Sequence, residues 1–167
     1  MKDHTGTFVK QVLDPGTWET KARHLLAAAA LFESKIDEFW SDVRAGEGWK
    51  DEFVAVFFML SAFALENLVK ARIVRINRDT MEKDLRSEPS LPGVLKGHDL
   101  YKLFCLAGRT ALADEEKSLL ERLSNSAVWY ARYPSPVRAS GLGQKPHWYS
   151  SNDLPDIKRL LREFGGG

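Results

Sequence analysis

Cysteine is almost absent. Cys105 is the single one in 167 residues, which excludes an intrachain disulfide and a thiolate zinc cluster and makes a reducing compartment the expectation. Histidine is sparse as well: His4, His24, His98 and His147 lie far apart, none has a ligand partner at helical spacing, and no metal site is expected. No apolar run is long. The longest charge-free stretch, Phe53 to Leu65, has thirteen residues, short of the ~20 that span a bilayer, so it reads as a buried core helix. Met1 to Asp14 lacks the apolar run of a secretory leader, and a cytoplasmic location with no membrane partner is the expectation. Neither sign of charge is in surplus, with 24 Lys plus Arg against 23 Asp plus Glu. No chain-wide field therefore draws the protein to nucleic acid or lipid, and an anion site has to be a local patch. Also missing are a Gly-x-x-x-x-Gly-Lys-Ser/Thr phosphate loop, a Gly-x-Gly-x-x-Gly turn, a His-Glu-x-x-His helix and a Gly-x-Ser-x-Gly elbow, so no cofactor is expected.

What is present is an ordinary globular composition, 44% hydrophobic and 28% charged, in a length that suits one domain. A polar segment, 1 to 16, contains the turn Asp14-Pro15-Gly16, with Thr17 placed to cap the helix that follows. From Trp18 to Arg44, Leu25, Ala29, Phe32, Ile36, Phe39 and Val43 recur three or four apart, the stripe of one long amphipathic helix closed by Gly46 and Gly48. A second helix, Asp51 to Asn77, is apolar on nearly every side in its first half and has to be surrounded, inside the fold or at a subunit interface. Its second half carries Lys70, Arg72, Arg75 and Arg78, which either complement the helix dipole or form an anion-binding ridge. Asp79 to Gly97 reads as a broken connection with room for a helical turn at Met81 to Leu85. A short helix over Asp99 to Ala107 follows, in which Cys105 is a packed side chain. The fourth main helix opens on Asp114-Glu115-Glu116 and runs to about Tyr133 before Pro134. Residues 134 to 151 form a basic, aromatic loop, Leu154 to Phe164 a C-terminal helix capped by Asp153, and 165 to 167 a flexible glycine tail. The fold class expected is all-α: an up-and-down bundle of four main helices plus a C-terminal helix.

Three groups can carry chemistry. Glu66 and Lys70 stand one turn apart at the edge of the apolar run, either as a buried clamp between helices or as a ligand-facing pair. His98 and Asp99 open the third main helix, as caps or, for the imidazole, as a proton-transfer or anion-contacting group beside free backbone N–H groups. From Asn125 to Asn152 no acidic residue occurs, while Arg132, Arg138, Lys145 and His147 interleave with Trp129, Tyr130, Tyr133, Trp148 and Tyr149. That pattern suits phosphate contact with base stacking, or aromatics plugging the bundle end while Arg132 meets a carboxylate such as Glu66.

Taken in order, Ala64-Leu65-Glu66-Asn67-Leu68-Val69-Lys70, His98-Asp99-Leu100 and Arg132-Tyr133-Pro134 resemble the HEPN superfamily, helical bundles of toxin-antitoxin systems, antiviral defence and RNA processing. The resemblance covers about Trp18 to Pro134 and implies a homodimer that binds RNA or a nucleotide-like anion. Nuclease members carry an Arg and a following His with four to six residues between them. Here Thr17, Trp18 and Glu19 precede His24 at that distance; Leu91, Pro92 and Gly93 precede His98; Ser140, Gly141 and Leu142 precede His147. Arg132 matches the motif's arginine by location, but Val137, Arg138 and Ala139 stand where its histidine belongs. The expectation is a binding protein whose ligand meets Glu66, Lys70, His98, Asp99, Arg132, Tyr133, Arg138 and Lys145, with His98 and Arg132 converging in one pocket. Two alternatives stand beside it: a divergent metal-independent RNase in which His98 and Arg132 are catalytic, and a structural subunit bound to a partner protein of a defence or toxin-antitoxin complex.

Overall fold

The computed structural model describes residues 4–46, 52–131 and 149–165. These residues are helical, with no strand among them: α1 (His4–Leu13), α2 (Pro15–Ala30), α3 (Glu33–Ala45), α4 (Glu52–Ser87), α5 (Gly93–Lys96), α6 (Leu100–Leu106), α7 (Asp114–Asn125) with a π-helical turn Ser126–Tyr130 at its end, and α8 (Asp153–Gly165). The all-α class is as the sequence predicts.

The core follows from α4. Val54, Phe57, Phe58, Leu65, Leu68, Val69, Ile73 and Val74 are buried around its circumference, so every neighbouring helix has an apolar face to cover. α2 makes the most extensive contact, through Ala22 and Ala29, whose small side chains let the two backbones approach closely. The other sides of α4 are covered by α1, α3, α6, α7 and α8. Phe53–Ser87 is long and apolar enough to cross a membrane by length and composition, but most of its apolar window is covered by these neighbours.

Several boundaries differ from the sequence reading. The opening segment is not merely polar: α1 buries Val12 and Leu13 and places Phe8 and Val9 against the core. Asp14, rather than Thr17, is the N-cap of α2; its carboxylate accepts from the Gly16 N–H at 3.0 Å and from the Thr17 hydroxyl at 2.8 Å. The long first helix breaks at Leu31 and Phe32, where i to i−3 hydrogen bonds tighten the chain. Leu31 is turned outward, and the new direction of α3 sets Phe39 edge-on to Tyr149, which also meets Phe58. The second helix passes the predicted end at Asn77. Asn77 leaves helical geometry at φ −119°, ψ 16°, while its amide donates to the Ile73 carbonyl at 3.0 Å, so the ladder bends there and continues to Ser87. That continuation buries Met81 and Leu85. Gly165 belongs to α8, and most of the expected loop 134 to 151 lies outside the described residues.

Candidate functional site

Glu66 and Lys70 lie on α4 where its surroundings change from wholly apolar to mixed. Their side chains are 7% and 4% exposed, and Lys70 Nζ donates to Glu66 Oε1 at 2.6 Å. Taking two charges out of water costs several kcal/mol each, so the pair persists only with close geometry and further partners. Lys70 has one in the ring of Trp18 on α2, 6.0 Å from its ammonium. Glu66 has another in His98. Its second oxygen, Oε2, lies 2.9 Å from His98 Nδ1, with the imidazole 53% exposed. Both carboxylate oxygens are therefore engaged, one by a buried cation and one by a ring that reaches solvent.

That contact assigns the imidazole its tautomer. A carboxylate accepts and does not donate, so Nδ1 carries a proton and Nε2 is the nitrogen left for a ligand. His98 stands in the connection between α5 and α6, immediately before Asp99. Asp99 is the N-cap of α6: its side chain accepts from the Lys102 N–H at 3.1 Å, and its carboxylate pairs with Lys102 Nζ at 3.2 Å. The Leu100 N–H donates to Ser124 Oγ on α7 at 3.0 Å. The free backbone N–H groups expected beside His98 are thus largely engaged, and the helix start is not an open anion cradle. Asp99 acts here as a cap, and the Leu100–Ser124 bond ties the helix start beside His98 to α7.

His98 and Asp99 border an open cleft of 630 Å³ between the start of α6 and one face of α7, lined also by Tyr101, Lys117, Glu121, Ser124, Asn125 and Val128. Sequence reasoning missed the α7 side, although its apolar-to-polar spacing was legible. The cleft's cation is already held: Lys117 Nζ lies 2.9 Å from Asp114, whose hydrogen bond raises the lysine's pKa.

The basic ridge of α4 resolves differently from the anion-binding alternative. Arg72 Nε donates to the Ala107 carbonyl at 2.9 Å, closing the end of α6; Arg78 Nη1 donates to the Leu13 carbonyl at 2.6 Å, closing the end of α1; and Arg75 pairs with Glu19. These guanidiniums satisfy helix-terminal carbonyls and tie the bundle together. No group of histidines, cysteines and carboxylates arranged to hold a metal occurs among the described residues.

Two ionic clusters fasten α7 and α8. Arg122 and Asp153 form a buried pair, with Arg122 Nη1 also donating to Ser118 at 2.9 Å and Asp153 accepting from the Ser150 N–H at 2.7 Å. Burial outweighs these contacts and raises the Asp153 pKa. Glu116 accepts from Arg109 at 2.9 Å, from Arg159 at 2.8 Å and from the Ala113 N–H at 3.1 Å. Desolvation is the largest single influence on Glu116, but the combined donors prevail and lower its pKa.

The structure thus brings Glu66, Lys70 and His98 together and seats Asp99 beside them as a cap. Arg132, Tyr133, Arg138 and Lys145 lie outside the described residues. Comparisons of the chain with protein-family models, with curated proteins and with solved structures yield no match.

Proposed function

We propose that this chain is a HEPN-like cytoplasmic protein that binds RNA or a nucleotide-like anionic ligand as a homodimer, in a toxin-antitoxin or antiviral defence setting. The observation that supports the reading best is the Lys70–Glu66–His98 chain: a buried ion pair that fixes the ring of a half-exposed histidine at the mouth of an open cleft. A fold gains little stability from a charge pair placed this deep, whereas a ligand gains an imidazole held in one orientation. Positive charge for a phosphate is supplied, by sequence, from the acid-free stretch that contains Arg132, Arg138 and Lys145. Leu31 and Phe53, both exposed, offer apolar surface for a second copy. Fluorescence anisotropy with a labelled mixed-sequence RNA tests the binding: His98→Ala and Arg132→Ala each weaken it with the helical content intact. Unchanged binding in both variants rejects the reading.

One feature favours a second reading, that of a divergent RNase with His98 as general acid or base and Arg132 stabilising charge at phosphorus. A histidine whose Nδ1 is held by a carboxylate is arranged for proton transfer at Nε2. Incubation with the same RNA pool distinguishes them, since cleavage that disappears in His98→Ala belongs to the enzyme alone.

A further inference from the structure

Beside His98 the cleft is lined by one stripe of α7, Lys117, Glu121 and Asn125 at spacings of four, and by Val128 of the π-helical turn that follows. Lys117 is paired with Asp114, and Ser124 accepts from the Leu100 N–H while donating to the Leu120 carbonyl. The side chains of Glu121 and Asn125 make no hydrogen bond or ion pair among the described residues. The cleft therefore presents an unengaged carboxylate, an unengaged amide and the imidazole of His98, with the 40% exposed Tyr101 and Val128 also lining it.

Those groups suit a flat, neutral, hydrogen-bonding ring and not a phosphate. A phosphate placed here faces the Glu121 carboxylate, while the cleft's lysine already has Asp114 beside it. A nucleobase offers apolar faces to Tyr101 and Val128 and in-plane donors and acceptors to the polar groups. The volume, 630 Å³, falls in the range of roughly 300 to 1,000 Å³ typical of small-molecule sites.

We propose that the cleft between α6 and α7 takes the base of a nucleotide, with an exocyclic amino group donating to Glu121, and leaves the phosphate outside. This inference rests on the nucleotide reading above and adds a base preference to it. Adenine, cytosine and guanine all carry such an amino group. Uracil has no exocyclic amino group; its one donor on that edge is the ring N3–H, flanked by two carbonyls that the carboxylate repels.

Calorimetric titration of the full chain with adenosine, uridine, adenosine monophosphate and ribose 5-phosphate tests the assignment. Adenosine binds within about threefold of its monophosphate and about tenfold more tightly than uridine, as one lost hydrogen bond to a charged acceptor implies. Tyr101→Ala, at a half-exposed position, weakens adenosine about tenfold, and Glu121→Gln narrows the gap between adenosine and uridine. Binding of ribose 5-phosphate as tight as that of the nucleotide, with adenosine inert, overturns the base assignment and leaves the nucleotide reading standing. Adenosine binding indifferent to both substitutions also overturns it. Absence of binding by all four probes and by RNA overturns both.

Discussion

The carboxylate of Glu66 holds the ring of His98 by its Nδ1 at 2.9 Å, a contact between residues 32 apart in sequence that joins the buried face of α4 to the open mouth of the α6–α7 cleft. The carboxylate is inside and the imidazole half outside, so the two respond differently to substitution.

Removing either member of the buried pair leaves a charge without its counter-ion. Glu66→Gln and Lys70→Met are each expected to destabilise the fold by about 3 to 5 kcal/mol, the usual cost of breaking a buried ion pair. Replacing both, as in Glu66→Gln with Lys70→Met, loses well under the sum of the single effects. Urea unfolding of the four proteins measures the cycle; single losses below about 1 kcal/mol contradict the buried assignment.

His98→Ala separates function from stability. The ring is 53% exposed, so its loss is expected to change the unfolding free energy by about 1 kcal/mol, one hydrogen bond to a carboxylate weakened by solvent screening. RNA or nucleotide affinity falls about tenfold or more in the same variant. A large loss of stability with binding retained reverses the assignment.

Two carboxylates of the α7–α8 junction give opposite pH dependences. Glu116 has its pKa lowered from 4.5, because hydrogen bonds from Arg109, the Ala113 N–H and Arg159 overcome its desolvation. It contributes stability that is present above pH 4.5 and lost as pH falls below that value. Asp153 has its pKa raised from 3.8 by burial, so its contribution is fully present below pH 3.8 and declines as pH rises through the folded-state value. Denaturant melts from pH 3 to 7 are expected to show a flatter acid limb in Glu116→Gln than in the parent. An acid limb of equal steepness contradicts the role given to Glu116.

The basic ridge makes a structural prediction. Arg78→Met removes the donor to the Leu13 carbonyl, so amide exchange in residues 4 to 13 quickens while the centre of α4 keeps its protection. Arg72→Met does the same to the end of α6 through Ala107. Unchanged exchange in both helices shows that the arginines are free for other partners.

Local chemistry was legible in the sequence where a residue and its partner lie within a turn or two. The Asp99 cap, the acidic start of α7 and the pairing of Glu66 with Lys70 all follow from spacing. So does the enclosure of Phe57 and Phe58, since a helix without a polar face has to be surrounded. The break at Leu31 carries no glycine or proline, and its cause is tertiary: α2 packs alanines on α4 while α3 aims aromatics at Tyr149. Asn77 looked like a helix end because asparagine competes with the backbone, and here that competition bends the helix instead of stopping it. The partners of Arg72 and Arg78 are main-chain carbonyls 35 and 65 residues away, which no pattern of side chains reveals. The Glu66–His98 contact is long-range in the same sense, and the α7 stripe gains meaning only once α6 is seen beside it.

The most direct test of the account is the nitrogen spectrum of His98 in ¹⁵N-histidine-labelled protein, followed during titration with adenosine monophosphate. The account predicts a proton on Nδ1 before ligand is added and a shift of Nε2 on binding. A ring protonated at Nε2 instead, or a ligand that binds without moving the Nε2 resonance, contradicts it.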